Sequence, residues 1–211
     1  MGVGKSSLMS QYIKKEFPES PLPTIAIEFA TKIIKIKEGG YVKAQIWDTA
    51  GQEKYRSLTQ IFYKDASIAI LVYDITSKES FEEIQNYWYN QLKDCAPKNI
   101  VIGLAANKSD LFEKEEVPEE QARKFAEEIG AIFKLTSACA STGVEELFIG
   151  VGCKYLDPNY KDDGSKKPEV QSIEEDPNLD PQDKIDQKKP IHHGSIRLDP
   201  NAKKKAKKKC C

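Results

Sequence analysis

The sequence predicts an α/β domain with a mostly parallel sheet flanked by helices, followed by a polar tail. Three continuous apolar runs, residues 68–73, 100–105 and 131–135, are typical of parallel strands that are buried on both faces. Four segments carry apolar side chains at helical spacing, namely residues 7–16, 81–92, 118–129 and 144–156. Strands that alternate with helices in this way indicate a parallel sheet with helices packed on its faces.

Two further strands precede these runs. Residues 28–37 and 41–47 are rich in Ile, Val and Thr, and the turn signal Glu38-Gly39-Gly40 lies between them, so we expect an antiparallel hairpin. Beyond residue 156 the periodicity ends, and Pro, Asp, Lys and Asn dominate. Such a segment cannot bury enough apolar surface to offset its ordering entropy. We therefore expect one domain over residues 1–156 and a disordered tail over residues 157–209.

Composition excludes several classes of protein. The formal net charge of -1 over 211 residues argues against nucleic acid as the main partner. The sequence has no apolar run of about 18 residues that could span a bilayer, and no signal-peptide core, so we expect synthesis in the cytosol. The five cysteines are spaced for neither a zinc site nor a disulfide framework.

The first motif is the segment Gly2-Val3-Gly4-Lys5-Ser6, which matches the second half of G-x-x-x-x-G-K-[ST] and directly precedes a helix. Backbone amides at such glycines close around a β-phosphate, Lys5 supplies a positive charge, and the Ser6 hydroxyl can ligate Mg²⁺. The same residues also satisfy the N-myristoylation pattern M-G-x-x-x-[ST]. The phosphate interpretation explains more, because Lys5 and Ser6 would be needed inside a nucleotide site and the end of the tail already carries another lipid signal.

The second motif follows the predicted strand 41–47. Asp48 is placed to hold Mg²⁺ through water, the Gly51 amide to meet a γ-phosphate, and Gln52 to orient an attacking water. A simple turn at the end of a strand also tolerates Asp and Gly. This segment therefore indicates a nucleotide site only together with the other motifs.

The third motif, Asn107-Lys108-Ser109-Asp110, follows an apolar run. The Asp110 carboxylate can accept from the N1 and N2 hydrogens of guanine, while Lys108 can lie along the ring. Adenine lacks this donor pair, so the motif favours guanine and disfavours an ATP-using enzyme. Three phosphate and base motifs in this order predict a guanine-nucleotide site.

These motifs resemble those of the Rab family of small GTPases in the Ras superfamily, which implies a Ras-like P-loop fold. The resemblance runs from Gly2 to about Leu156. The stretches that separate Rab proteins from other Ras relatives are residues 25–29, 43–47, 54–59, 62–66 and 71–76. Residues 98–111 and 131–133 resemble the early-endosomal branch of the family.

The resemblance implies a fuller set of site residues. Thr24 corresponds to the switch I threonine that ligates Mg²⁺ with GTP bound, so Ser6, Thr24 and Asp48 form the expected metal set. Phe17 packs near the guanine, and the Ala138 amide can reach guanine O6. The expected contacts to GTP or GDP are Gly2, Val3, Gly4, Lys5, Ser6, Ser7, Phe17, Thr24, Gly51, Asn107, Lys108, Asp110, Ser137, Ala138 and Cys139.

The chain departs from the family pattern at three places. Cys139 stands where a lysine usually packs on the base, and Ala26 replaces a switch I glycine. The chain as written also lacks the family's first strand and the first two positions of the phosphate loop. We expect the missing central strand to leave a gap of about 9 to 10 Å with unpaired ladder groups, which should not fold stably unaided. Either a shortened N-terminus or a genuine product accounts for this departure.

Two surfaces are implied for partners. Phe29, Trp47 and Phe62 match the aromatic triad that Rab effectors contact, although they could also be simple core residues. Six lysines lie among residues 203–209, and Cys210 and Cys211 follow, which resembles a double geranylgeranylation site. Two lipids are what stable anchoring requires. The alternative is a solvated basic tail with unmodified cysteines.

The function implied by the resemblance is a GTP/GDP switch in vesicle traffic that hydrolyses GTP slowly unless an activating protein assists. It would work on the cytoplasmic face of endomembranes, with the early endosome as one possibility, and keep a cytosolic pool. Expected partners are an exchange factor, a GTPase-activating protein, a GDP-dissociation inhibitor and effectors. The alternative is a membrane-tethered interaction module that has lost nucleotide binding together with its first strand.

Overall fold

The computed structural model describes residues 2–18, 24, 28–35, 41–49 and 62–162. The strands of this part of the chain are β1 (Glu28–Lys35), β2 (Tyr41–Asp48), β3 (Ile68–Asp74), β4 (Val101–Asn107) and β5 (Ile132–Thr136). Its α-helices are α1 (Lys5–Lys14), α2 (Lys78–Glu83), α3 (Tyr89–Cys95), α4 (Glu119–Glu128) and α5 (Val144–Leu156). The π-helical segment Ile84–Trp88 joins α2 to α3, and a 3-10 helix, Ser109–Lys114, follows β4.

The strands pair as the sequence predicts. β1 and β2 are antiparallel, with Glu28 opposite Asp48 and Lys35 opposite Tyr41, which confirms the hairpin. Its turn, residues 38–40, lies outside the described residues. β3, β4 and β5 form a parallel sheet in that order.

β4 explains why this parallel sheet reads as continuous apolar sequence. Leu104 and Ala106 face one hydrophobic cluster, while Ala105 between them faces another on the opposite side of the sheet. Because successive side chains of a strand point to opposite faces, a strand covered on both sides needs apolar residues at every position. The sheet is thus the middle layer of three.

One face of the sheet is covered by α1 and α5. Their contact centres on Tyr12 and Phe148, whose rings stack with centroids 3.8 Å apart. The opposite face is covered by α2, α3 and α4, where the Phe81 ring lies between Tyr73 and Phe125, at centroid distances of 4.9 and 5.8 Å. The first contact joins the two helices of one layer, and the Tyr73–Phe81 contact holds the opposite helical layer against β3.

The hairpin and the parallel sheet are separate sheets within the described residues. β2 and β3 are edge strands of their respective sheets. Consecutive residues at these two strands, 46–49 and 68–72, line one cavity of about 180 Å³. Alternate residues of a strand lie on opposite faces, so a cavity lined by consecutive residues runs along a strand edge. The cavity therefore lies between the edges of β2 and β3.

The helix over the predicted range 81–92 begins earlier, at Lys78. The Ser77 side chain caps it by accepting from the Ser80 backbone N–H, and periodicity in apolar residues carries no information about such a cap. The π-helical segment inside this helical stretch is likewise invisible to periodicity.

The packed region extends to Asp162, beyond the end of α5. Asp162 forms an ion pair with Lys134 of β5 at 2.7 Å, and Tyr160 packs against the cluster between α1, α5 and the sheets. Residues 163–211 lie outside the described residues. Across the described part of the chain, no helix has the length and apolar character needed to cross a membrane.

Candidate guanine-nucleotide site

Buried polar residues cluster where strands end. Asp48, Asp74, Asn107 and Thr136 are the last residues of β2, β3, β4 and β5, and each is at most 6% exposed. Buried polar groups need hydrogen-bond partners, so such residues indicate a built site rather than a core. In open α/β sheets, ligands bind outside the carboxyl ends of the strands.

The three predicted metal ligands meet at this edge although the chain separates them widely. The hydroxyl oxygens of Ser6 and Thr24 lie 2.6 Å apart. Ser6 also donates to Asp48 Oδ2, and Thr24 Oγ1 donates to the same oxygen at 3.4 Å. One carboxylate with two hydroxyls is a hard oxygen donor set, which suits Mg²⁺ when phosphate oxygens complete the coordination. Within the described residues, no cluster of three or more His, Cys, Asp or Glu offers a competing metal site.

The charges at this edge are poorly compensated in the protein itself. Burial raises the pKa of the Asp48 carboxyl, although the hydrogen bond from Ser6 and the charge of Lys5 oppose this shift. Burial lowers the pKa of the Lys5 ammonium, against the opposing charges of Asp48 and Glu83. A partner of opposite charge would therefore stabilise the charged form of each group. A cation would do so for Asp48, and a phosphate would do so for Lys5.

The phosphate loop is joined to the base motif. Asn107 Nδ2 donates to the Val3 carbonyl oxygen at 2.8 Å, and Thr136 Oγ1 donates to Asn107 Oδ1 at 3.2 Å. Gly4 lies beside this amide with a φ of 91°, and a Cβ there would come within 2.4 Å of Asn107 Nδ2. Glycine is therefore required at position 4 on two grounds, its conformation and its space.

The loop that follows β5 fixes the predicted base-binding carboxylate. Ser137 Oγ donates to Asp110 Oδ1 at 2.5 Å and accepts from the Ala140 N–H at 2.9 Å. Ser137 and Thr142 exchange two backbone hydrogen bonds, which close this loop. Among the described residues, the other oxygen of the exposed Asp110 has no such partner, so it can accept from a ligand.

Two contributors to this site were not predicted from the sequence. Asp74 Oδ2 lies 2.5 Å from Lys108 Nζ, and the buried Gln11 side chain of α1 donates to Ser141 Oγ at 2.7 Å. Asp74 could have been found from its position, since it ends a buried strand as Asp48 and Asn107 do. Gln11 left no comparable signal, because a polar residue on a helix is usually solvated.

The remaining predicted residues have varied surroundings. Ser7 and Ala138 are buried, Cys139 is exposed, and the Phe17 ring is 42% exposed. Gly51, Gln52 and Ala26 lie outside the described residues, as do the lysines of residues 203–209, Cys210 and Cys211.

The predicted effector aromatics form a row. The Phe29 and Trp47 ring centroids are 4.6 Å apart, and those of Trp47 and Phe62 are 6.1 Å apart. Phe29 is 48% exposed, whereas Phe62 is buried at 3%. The row therefore runs from the surface into the protein, and Phe29 is its most accessible member.

Comparison with known proteins agrees with this geometry. The family profile described as Ras family matches residues 1–156. The Ras-related protein RABA2b of Arabidopsis thaliana is 47% identical over 147 residues, which cover 70% of this chain and 68% of that protein. The chain belongs to the Rab group of the Ras family of small GTPases.

As a Rab-type GTPase, the chain binds guanine nucleotides, hydrolyses GTP and acts in membrane-associated vesicle traffic, with a cytosolic pool and a network of regulators and effectors. Family membership favours this interpretation over a non-hydrolysing interaction module. The distinction among Rab branches does not follow from these matches.

Proposed function

We propose that the Rab GTPase holds Mg²⁺ and the phosphates of GTP at the cluster of Ser6, Thr24 and Asp48. The observation that carries this proposal is the convergence of the Ser6 and Thr24 hydroxyls on Asp48 Oδ2, from positions 42 and 24 residues away in the chain. Local turn geometry does not bring two side chains from separate segments to one oxygen of a third. When bound, the cation supplies positive charge that neutralises the phosphate oxygens.

Several groups of the protein itself have separate roles in hydrolysis. The phosphate loop offers its backbone amides and the N-terminus of α1 to the phosphates, and Lys5 adds a charge. Gln52 orients the water that attacks the γ-phosphate, and the Gly51 amide meets that phosphate. Water attack then releases GDP and inorganic phosphate.

Guanine selection is assigned to the loops after β4 and β5. Asp110 accepts from guanine N1 and N2 through the oxygen that Ser137 leaves available, and Lys108 lies along the ring. The Ala138 amide donates to guanine O6. Cys139 adds none of the packing that a lysine stem would give.

Release of a fluorescent GDP analogue from the full chain tests the phosphate and metal assignment. With Mg²⁺ present, Ser6→Ala should release the analogue faster than the parent, and chelation of Mg²⁺ should accelerate the parent more than the variant. Ser10→Ala, on the same helix one turn further along, is the matched control and should behave as the parent. A Ser6→Ala protein with parental release and parental Mg²⁺ dependence contradicts the metal assignment.

Base recognition is tested separately with Asp110→Asn. The amide presents a donor where the carboxylate accepted, so the variant should shift its preference from guanine toward xanthine. Competition of bound GDP by XDP measures this shift. If XDP competes equally against parent and variant, Asp110 does not contact the base.

The row of Phe29, Trp47 and Phe62 is proposed as part of the effector surface. Support comes from the contacts along the row and from the exposure of Phe29, since aromatic side chains are enriched in the energetic centres of interfaces. Phe29→Ala should weaken effector binding while leaving GDP release unchanged.

The membrane anchor is proposed to consist of geranylgeranyl groups on Cys210 and Cys211, assisted by the lysines of residues 203–209. The early endosome is proposed as the compartment, on the resemblance of residues 98–111 and 131–133 to that branch. Co-localisation of the tagged full chain with an early-endosomal marker tests the compartment independently of the anchor.

A further inference from the structure

Asp74 and Lys108 form an ion pair next to the base motif. Lys108 Nζ lies 2.5 Å from Asp74 Oδ2, and the carboxylate is far less exposed than the ammonium, at 9% against 35% of the side chain. Asp74 ends β3 and Lys108 directly follows β4, so the pair joins two neighbouring strands at their carboxyl ends. None of the nucleotide contacts assigned above includes Asp74.

The carboxylate of Asp74 is itself held in place. Its Oδ1 accepts from the Thr76 backbone N–H at 2.9 Å and from Thr76 Oγ1 at 2.7 Å. The Asp74 backbone N–H donates to Ser80 Oγ at 3.0 Å, near the start of α2. One oxygen thus fixes the orientation of the carboxylate, and the other faces Lys108.

Lys108 is restrained at both ends. Its backbone is in the left-handed region, with a φ of 64°, and its carbonyl oxygen accepts from the Leu111 N–H at 2.9 Å, at the start of the 3-10 helix. Its ammonium is held by Asp74. A free lysine side chain has many rotamers, so a pair that fixes both ends removes most of this freedom before any ligand arrives.

We propose that Asp74 is a positioning residue of the nucleotide site, which holds the Lys108 side chain in the orientation that packs along the guanine. This inference rests on the proposed role of Lys108. A side chain already ordered loses less entropy on binding, so the pair should slow nucleotide release. The competing explanation is that Asp74 serves the fold alone, by capping the turn before α2.

The ionisation of Asp74 supports a persistent pair. Burial alone would raise the pKa of the Asp74 carboxyl, but hydrogen bonds from Lys108 and Thr76 outweigh it and hold the pKa below its usual range. The carboxylate is therefore charged at the pH of the cell, and Lys108 keeps its partner.

A double-mutant cycle on GDP release separates the two explanations. We expect Asp74→Asn, which keeps the shape of the side chain, to release GDP roughly tenfold faster than the parent. Lys108→Met should also release GDP faster than the parent. The double variant, with Asp74→Asn added to Lys108→Met, should release GDP no faster than Lys108→Met by itself. This non-additivity is expected if Asp74 acts through Lys108. If Asp74 serves only the fold, Asp74→Asn should accelerate GDP release further in the Lys108→Met background.

Asp162→Asn provides the matched control. It removes the carboxylate from the ion pair with Lys134, which has a similar distance of 2.7 Å and similar side-chain exposures of 17% and 24%. GDP release from Asp162→Asn should equal that of the parent, because this pair joins β5 to the segment that follows α5 and neither residue is among the proposed nucleotide contacts. If Asp74→Asn does not fold, Thr76→Val carries the same test. It removes one hydrogen bond to Asp74 and should give a smaller effect that also vanishes with Lys108→Met.

Each outcome decides the matter. Release from Asp74→Asn at the parental rate, or effects that add in the double variant, overturns the positioning role. A parent chain that binds no GDP instead overturns the proposed nucleotide site, and this appears before any variant is compared. An acceleration by Asp74→Asn that is present when Lys108 is retained and absent in the Lys108→Met background supports the proposal.

Discussion

The side-chain amide of Asn107 donates to the Val3 carbonyl oxygen at 2.8 Å, which joins the end of β4 to the phosphate loop. The phosphate loop and the base motif are more than 100 residues apart in the chain, yet this hydrogen bond connects them directly. A disturbance at the phosphate loop should therefore reach the base loops. Gly4, which packs on the same amide, is the position at which to test this coupling.

Gly4→Ala should weaken GDP binding by roughly tenfold or more, since a left-handed backbone costs a non-glycine residue about 1 to 2 kcal/mol and the new Cβ also displaces Asn107. Equilibrium titration with fluorescent GDP measures the loss. Gly130→Ala is the control, because Gly130 has a comparable φ of 65° but nothing within 4 Å of an added Cβ. Equal losses of GDP affinity in both variants would mean that backbone strain, not Asn107, is responsible.

Gln52→Leu should leave GTP affinity nearly unchanged and abolish most hydrolysis, because Gln52 orients water and does not hold phosphate. Single-turnover release of inorganic phosphate from bound GTP gives the rate, and titration with a non-hydrolysable analogue gives the affinity. A variant that hydrolyses GTP at the parental rate removes Gln52 from the mechanism.

The contribution of ionised Asp74 to the free energy of unfolding should depend on pH. Its folded-state pKa lies below the unfolded value of about 3.9, so the stabilisation is complete above that pH and is lost as the pH falls through the folded-state pKa. The free energy of unfolding should therefore differ between parent and Asp74→Asn by a constant amount from pH 5.5 to 8, and by less below pH 4. Urea unfolding across this range is the measurement. A difference that persists undiminished at low pH would mean that ionisation of Asp74 contributes nothing.

Much of this architecture follows from sequence because the motifs end strands. The runs 68–73, 100–105 and 131–135 predict β3, β4 and β5 within two residues at each end, since strands buried on both faces must be apolar throughout. Because these strands are parallel, their last residues, Asp74, Asn107 and Thr136, necessarily lie at one edge. The convergence of Ser6, Thr24 and Asp48 does not follow from strand order, since Ser6 lies in α1 and Asp48 ends a strand of the other sheet; it was expected from the family resemblance.

Other features depend on contacts that periodicity cannot reveal. The Asp74–Lys108 pair joins residues 34 positions apart, and although the position of each residue is visible in the sequence, their contact is not. Phe29 and Phe62 belong to the same predicted aromatic triad, yet one is exposed and the other is buried, because exposure depends on what packs above a ring. Such differences come from tertiary packing, which overrides local preference.

Tyr73→Phe should raise the free energy of unfolding by about 1 kcal/mol, because the buried Tyr73 hydroxyl has no hydrogen-bond partner among the described residues. Urea denaturation of both proteins measures the change. Tyr73→Leu, which also lacks the hydroxyl but loses the ring contact with Phe81, should instead be less stable than the parent. A Tyr73→Phe protein that is less stable than the parent would indicate that the hydroxyl is satisfied in solution, for example by water.

The anchor can be divided into a lipid and an electrostatic contribution. Replacing both Cys210 and Cys211 with serine should leave the protein soluble in cells, because lysine attraction to an anionic leaflet is screened over about 8 Å at physiological ionic strength. Replacing the six lysines of residues 203–209 with glutamine should weaken or redirect membrane association without abolishing it. Two buried lipid chains contribute more than the screened charges, at about 0.8 kcal/mol for each buried CH₂ group.

Fractionation of cells that express either variant tests this division. The cysteine variant should appear in the supernatant at physiological salt and above, whereas the glutamine variant should remain partly with membranes and become insensitive to salt. These two results differ because lipid insertion depends on buried apolar area and charge attraction depends on screening. A cysteine-free protein that still sediments with membranes at high salt would contradict prenylation, and would direct attention to Gly2 acylation or to a protein tether.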